Sequence, residues 1–249
     1  MSFFKKMMAG MGVGNMKIDT QLDVNEIQAG ESLTGVIHIV GGGADQELNG
    51  INMHLMTELH TEDGEHHVIT LENYRIVDNA FVGAGEHLQV DFSIPIPTDT
   101  PVSFGLSNTW LRTEADVSFA IDPKDDDEII IAPHPLQAIV MEGIESIGLS
   151  LSQVEFEEAP YRMGSRVPVI QELEYRPQRF SLLSKKLDEL EVVFVPMEQA
   201  MRVFFQIDKR KGWFKEAFDQ DESNIYIELP YDQQIAPAQV TQFLEQHIL

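Results

Sequence analysis

The sequence of 249 residues contains no cysteine. It therefore offers no disulfide bond, no thiol nucleophile and no thiolate ligand for zinc, and it fits a protein of the reducing cytoplasm. Basic residues are also scarce, since 17 lysines and arginines stand against 41 aspartates and glutamates, for a formal net charge of -24. A chain this acidic repels phosphate groups, so we expect it to bind neither nucleic acid nor an anionic membrane surface.

Long apolar runs and catalytic motifs are missing as well. No stretch reaches the roughly 20 apolar residues that a membrane-spanning helix needs, so we expect no integral membrane contact. The amino-terminal segment is interrupted by Gly10, Gly12 and Gly14 and lacks a cleavage signal, so we do not interpret it as a signal peptide. There is no G-x-S-x-G elbow, no H-E-x-x-H pair and no phosphate-binding loop. We expect a protein that is not an enzyme and holds no cofactor.

Alternation of apolar and polar residues dominates what is present. A period of two is typical of half-buried strands, and short strands separated by glycine and proline turns indicate antiparallel sandwiches. Helical periodicity occurs in two segments, one opening at Pro135 and one at Pro237. The segments with a clear period of two are residues 33–39, 88–94, 115–121, 190–194, 201–207 and 225–229.

An acidic run separates two sets of these strands. Its residues between Asp122 and Glu128 include a proline, and the alternation starts afresh beyond it. We interpret the run as a hinge, formed by Asp122, Pro123, Asp125, Asp126 and Asp127. The prediction is a mostly β protein with two antiparallel β-sandwiches in tandem, residues 1–128 and residues 129–249. A short helix follows the hinge, and a second helix closes the chain.

The histidine-rich segment from His60 to His67 is the first candidate site. If Asp63 and Gly64 form a two-residue hairpin turn, His60 lies opposite His67, with Glu58 one step away. Cross-strand Cβ atoms lie about 5 Å apart, close enough for such side chains to share a divalent metal ion. The alternatives are a solvated hairpin tip and a pH sensor, because histidines beside carboxylates titrate near neutrality. A metal- or pH-responsive sensor is thus one functional hypothesis.

A dense basic cluster is the second candidate site. It combines positive charge with aromatic side chains, a combination suited to docking an acidic protein surface. The alternative is a loop whose aromatic residues cover the second sandwich. The cluster consists of Lys209, Arg210, Lys211, Trp213 and Phe214.

Four segments carry a resemblance to a known family. They read FFKKMMAGMGVGNMKIDTQLD, AGESLTGVIHIVGGGADQELNGINMHL, DFSIPIPTDTPVS and HPLQAIVMEGIESIGLSL. With them the chain resembles the bacterial sporulation-control protein family. The resemblance implies an arrestin-like fold, with two β-sandwiches joined by a short hinge. It also implies a non-enzymatic cytoplasmic regulator or scaffold in stress, sporulation or cell division, and it supplies no catalytic residue.

The expected partner is another protein, whose identity the sequence does not give. Sandwiches of this type leave edge strands with unpaired backbone groups, and such strands pair readily with other chains. Homodimerisation through edge strands is therefore a further expectation.

Overall fold

A computed structural model describes residues 15–60, 66–104, 108–118, 121–159, 167–179, 182–207 and 225–247, without the side chains of His60, His66 and Leu182. Strands and two helices make up most of these residues, so the fold is mostly β, as predicted. The elements are β1 Lys17–Leu22, β2 Glu26–Gln28, β3 Ser32–Val40, β4 Gln46–His60, β5 His66–Val77, β6 Ala80–Val82, β7 His87–Pro95, β8 Asn108–Val117, β9 Lys124–Ala132, α1 Pro135–Ser146, β10 Leu149–Glu158, β11 Val169–Pro177, β12 Leu190–Pro196, β13 Ala200–Ile207, β14 Ile225–Pro230 and α2 Pro237–His247.

The elements β1 to β9, which we call the first half, form a sandwich of two sheets. One sheet has the order β1-β3-β7, and the other has the order β2-β9-β8-β4-β5, with β6 paired to β4. Alternate side chains of both sheets meet in one core, where Ile37, Leu55 and Leu111 are fully buried. The burial in β8 alternates strictly, which is the pattern that a period of two produces when one face is covered.

The acidic run belongs to this sandwich, so the predicted hinge is wrong at Asp125, Asp126 and Asp127. These residues lie in β9, which pairs antiparallel with β8 from Lys124 to Ile129. Asp122 and Pro123 lie in the turn before β9, where Asp122 Oδ1 accepts a hydrogen bond of 2.8 Å from the backbone of Val117. Ion pairs with β8 support the strand, since Asp126 pairs with Arg112 and Lys124 pairs with Glu114. The later residues of β9 are apolar, and Ile129 and Ile131 are buried in the core. The sheet continues to Ala132, past residue 128.

The elements from α1 onward, which we call the second half, contain a five-stranded antiparallel sheet of order β10-β11-β12-β13-β14. Helices α1 and α2 start at the predicted prolines and share a core with one face of this sheet. They approach closely at Gly143, where an added Cβ would lie 2.9 Å from the Cβ of Val240. The other face of the sheet also carries buried apolar residues, namely Ile170, Val193, Val195 and Phe204.

The side-chain amide of Gln171 joins the two halves by two hydrogen bonds to the backbone of Val102. The Gln171 amide nitrogen donates to the Val102 carbonyl at 2.8 Å, and the Val102 N–H donates to Gln171 Oε1 at 3.0 Å. Nearby, the Val167 N–H donates to Asp99 Oδ2 at 3.2 Å. Val167 and Val169 are buried in the core of the first half although they lie in the second part of the chain. The halves are therefore packed and hydrogen-bonded together.

Replacement of Gln171 by alanine tests this joint. The substitution removes both hydrogen bonds and leaves the N–H and carbonyl of the buried Val102 without partners, at an expected cost of about 2–3 kcal/mol in the free energy of unfolding. The matched control is Gln233→Ala on an exposed turn, expected to change stability by less than about 0.5 kcal/mol. Urea denaturation measures both, and equal midpoints for the two variants would contradict the assignment.

Candidate functional site

A groove lies where the two halves meet. Its main cavity has a volume of about 580 Å³, and an adjoining cavity of about 470 Å³ shares Glu198 and Tyr231 with it. The first half contributes the turn between β2 and β3. The second half contributes the start of α1 and the adjacent ends of β12, β13 and β14. We call this feature the inter-half groove. Its lining residues are Gln28, Ala29, Gly30, Glu31, Thr98, His134, Pro135, Met197, Glu198, Gln199, Ala200, Met201, Glu228, Pro230, Tyr231 and Asp232.

The wall from the first half is a turn held by backbone hydrogen bonds. Gly30 has a φ of +93°, a conformation that favours glycine, and a Cβ there would lie 3.1 Å from Thr98 Cγ2. Its N–H donates to the Ile96 carbonyl at 2.9 Å, and the Ile96 N–H donates to the Glu31 carbonyl at 2.8 Å. The turn is thereby fixed to the chain that follows β7. The Ala-Gly-Glu turn was expected from the sequence, but its place in a groove was not.

The wall from the second half is the tight connection between β12 and β13. The Met197 N–H donates to the Ala200 carbonyl at 2.9 Å, and the Tyr231 N–H donates to the Gln199 carbonyl at 3.1 Å. These bonds tie the connection to the end of β14. They also leave two large apolar side chains open to solvent, since Met197 is 41% exposed and Tyr231 is 40% exposed. Exposed apolar side chains in a concave surface are typical of binding sites.

His134 lies at the base of the groove and caps helix α1. Its Nδ1 accepts a hydrogen bond of 3.2 Å from the Leu136 N–H, and the Gln137 side chain accepts one of 2.8 Å from the His134 N–H. This reciprocal pair is a capping box, followed by Pro135 at the first helical position. The imidazole also contacts the Tyr231 ring edge-on, at 5.7 Å between centroids. Burial lowers the pKa of His134 and so favours the neutral ring, whose Nδ1 lone pair accepts the capping hydrogen bond.

The ionised side chains among the described lining residues of the groove are all acidic. Four of its lining residues are carboxylates, namely Glu31, Glu198, Glu228 and Asp232, and no lysine or arginine is found among the described lining residues. Glu228 is neutralised by Arg202, whose Nε donates to Glu228 Oε1 at 2.9 Å. The carboxylates of the other three residues have no cation beside them in the described part of the chain.

The described lining of the groove includes neither serine nor cysteine, and Nδ1 of its single histidine is engaged by the helix cap. The groove has an apolar base, formed by Pro135, Met197, Met201 and Tyr231, and an acidic rim, formed by Glu31, Glu198 and Asp232.

Comparison with known proteins decides the family. The profile of the Spo0M family, described as SpoOM protein, matches residues 4–211. The sporulation-control protein Spo0M of Bacillus subtilis (strain 168) is 32% identical over 234 residues, which cover 91% of this chain and 90% of that protein. The chain belongs to the Spo0M family. The crystal structure of Spo0M from Bacillus subtilis superimposes with a TM-score of 0.83 at 29% identity, over 94% of this chain and 98% of the other.

Membership of the Spo0M family confirms the predicted resemblance and the arrestin-like fold. It also supports a regulatory role related to sporulation, which is the activity that the name of the Bacillus subtilis relative states. Among the residues that the structure describes, no helix is long and apolar enough to cross a membrane.

The register of the histidine hairpin differs from the one expected. Strands β4 and β5 pair His60 with His66, and they place Leu59 opposite His67 and Glu58 opposite Val68. The prediction that His60 lies opposite His67 is therefore wrong, and a shift of one residue places side chains on opposite faces of a sheet. Asp63 and Gly64 lie outside the described residues. No group of three or more metal-ligating side chains occurs among the side chains that are described.

The basic cluster of this Spo0M-family chain lies outside the described residues. Its role as a partner-binding surface stays a prediction for Lys209, Arg210, Lys211, Trp213 and Phe214.

The acidic strand β9 has a feature that its interpretation as a solvated hinge missed. Alternation sends Asp126 outward, where Arg112 Nε donates to it at 2.7 Å, and directs Asp125 and Asp127 towards the other sheet. Asp125 Oδ2 accepts a 2.6 Å hydrogen bond from the Thr20 N–H on β1. It therefore links the two sheets. The sequence of β9 does not show this arrangement, because four acidic residues are followed by three isoleucines and only the burial of these residues alternates.

Asp127 is the most perturbed carboxyl group of this cluster. Burial, followed by the charges of Asp125 and Asp19 nearby, raises the pKa of Asp127 from its ordinary 3.8 to about 7. Its Oδ2 is buried without a hydrogen-bond partner in the described part of the chain. Burial, and then the charge of Asp125, also raise the pKa of Asp19. The folded state therefore favours the protonated form of Asp127 and, to a lesser degree, that of Asp19.

Substitution of Asp127 by asparagine tests the buried carboxylates. Because the folded pKa lies above the unfolded value, the folded state binds the extra proton, and stability falls as pH rises from about 4 through about 7. Asp127→Asn should therefore raise the free energy of unfolding at pH 8 by about 1–2 kcal/mol, allowing for solvent screening of a half-exposed group, and leave it nearly unchanged at pH 4. Asp126→Asn, which loses its partner Arg112, is the control. A gain at pH 8 in the control alone would refute this account.

Replacement of His134 tests the helix cap at the base of the groove. The lowered folded pKa means that the unfolded state binds more protons, so this group withdraws stability as pH falls below about 6.5. His134→Asn keeps a capping acceptor and cannot titrate, so its stability should decline less than that of the wild type between pH 7 and pH 5. His134→Ala should lose about 1 kcal/mol at pH 7. Thermal unfolding at several pH values in this range measures the decline. An equal decline in the unfolding temperatures of His134→Asn and the wild type would exclude protonation of His134 as its cause.

Proposed function

We propose that this Spo0M-family protein is a non-enzymatic cytoplasmic regulator that acts by binding another protein in the inter-half groove. The family supports a regulatory role related to sporulation. The groove supports the mechanism, because both halves contribute to its concave surface and its cavity of about 580 Å³ is open to a partner. A protein that works in this way changes no bond of its partner and exerts its effect by occupying or positioning it.

The observation that carries the proposal is the exposure of apolar side chains in this concave surface. Met197 and Tyr231 each leave about two fifths of their surface in contact with solvent although both lie in a groove. Burying such side chains against a partner releases hydration free energy, and methionine and tyrosine adapt well to protein surfaces. The metal- or pH-responsive sensor has no comparable support, because its histidines are not in the register that it required.

Site-specific photo-cross-linking in the native cell tests the proposal. A photoreactive amino acid replaces Gln199 at the rim of the groove, and a control protein carries it at the exposed Asp91 on β7. We expect a defined protein to be captured at the groove and not at Asp91. The captured protein, once purified, should bind the wild type saturably, and Met197→Ala should weaken that binding about tenfold, or about 1.4 kcal/mol.

The matched control for affinity is Val24→Ala, a similarly exposed apolar residue outside the groove lining. It should leave the dissociation constant within about twofold of the wild-type value. Capture of the same proteins at both cross-linking positions, or of none at the groove, would rule out the groove as the binding surface.

A further inference from the structure

We infer that the inter-half groove selects a cationic partner segment, one apolar side chain flanked by lysines or arginines. This inference rests on the proposed function and adds the chemistry of the partner to it. It follows from the distribution of charge and apolar surface in the groove rather than from its shape alone.

The charge of the rim is the first step. Glu198 and Asp232 are exposed, and neither makes a side-chain hydrogen bond or ion pair with another described residue. Glu31 accepts a hydrogen bond of 3.1 Å from the Gln28 N–H. Within the residues that the structure describes, these three carboxylates on the two sides of the groove have no cation that compensates their charge. A like-charged partner would be repelled, and a cationic one would be attracted and oriented, because complementary potentials govern encounter and register.

The apolar base is the second step. Met201 is buried beneath the groove, while Met197, Tyr231 and Pro135 present apolar surface into it. A ligand with positive charge and no apolar side chain would leave these apolar side chains exposed to water. A side chain such as leucine or phenylalanine would cover it, with the flanking cations reaching the acidic rim. The cavity of about 580 Å³ has room for a few side chains and not for a folded domain.

Other classes of ligand fit the groove less well. Phosphate, nucleic acid and anionic lipid would meet uncompensated carboxylates. A divalent metal would need several ligands converging on one point, and no such group occurs among the described side chains. A second copy of this chain brings a net charge of -24, so association through the groove would have to overcome general repulsion.

Three fluorescent peptides provide the probe. The first, acetyl-GKRLRKG, has the proposed chemistry, the second, acetyl-GKRGRKG, lacks the apolar side chain, and the third, acetyl-GEELEEG, reverses the charge. Fluorescence anisotropy in 0.1 M salt should show saturable binding of the first peptide. Removal of the leucine should weaken binding about tenfold, and reversal of the charge should abolish it.

Two double variants with equal changes of net charge separate the groove from the overall negative field. Glu198→Gln with Asp232→Asn removes rim charges, whereas Glu245→Gln with Asp91→Asn removes exposed charges elsewhere. The first pair should weaken peptide binding about tenfold and the second less than twofold, with unfolding temperatures near that of the wild type in both.

Equal weakening by the two pairs would overturn the inference, because it would reduce binding to the overall charge. Equal binding of the first two peptides, or no binding of the first, would overturn it too. If a cellular partner is nevertheless captured at Gln199, the proposed function stands and only the cationic chemistry fails. Capture of a second copy at Gln199 would identify the groove as a self-association site and exclude the inference.

Discussion

The hydrogen-bonded joint between Gln171 and Val102 is the constraint on which the working surface depends. The inter-half groove has one wall on each half and His134 at its base, so its shape exists only while the halves keep one relative position. The side-chain amide of Gln171 can bond both backbone groups of Val102, because it offers one acceptor and one donor group close together, as a peptide group does. Together with Val167 and Val169 in the first core, it makes the connection between the halves part of the fold.

The carboxylates of the chain occur in three different environments. On the outer face of β9 their charge is compensated, as by Arg112 beside Asp126. Between the sheets, Asp127 is partly buried beside Asp125 and Asp19, and its raised pKa favours a bound proton on Asp127. Around the groove, carboxylates such as Glu198 stay exposed and uncompensated in the described part of the chain. This third arrangement costs little in stability, because the groups are solvated, and it leaves charge available for recognition.

Much of the architecture was predictable from local pattern. The strands around Phe92, Ala115 and Val203 and the helices opening at Pro135 and Pro237 follow from period and capping chemistry. Three features were not. The strand β9 is not evident from the sequence, because its acidic residues and its isoleucines form two blocks and do not alternate. The register of β4 and β5 differs by one residue from the one that a two-residue turn gives. The groove joins residues about 200 positions apart, such as Gly30 and Tyr231. Contacts between residues far apart in the chain determine these three features, and local sequence patterns do not predict such contacts.

The central claim is that the two halves form one rigid body, so that the inter-half groove is permanently present. The distance between one position on each half tests this claim most directly. The absence of native cysteine allows spin labels to be attached only at Asp91→Cys on β7 and Glu245→Cys on α2, both exposed positions. Pulsed electron paramagnetic resonance should then give a single narrow distance distribution in solution. A broad distribution, or two separate populations, would show that the halves move against each other and would contradict the account.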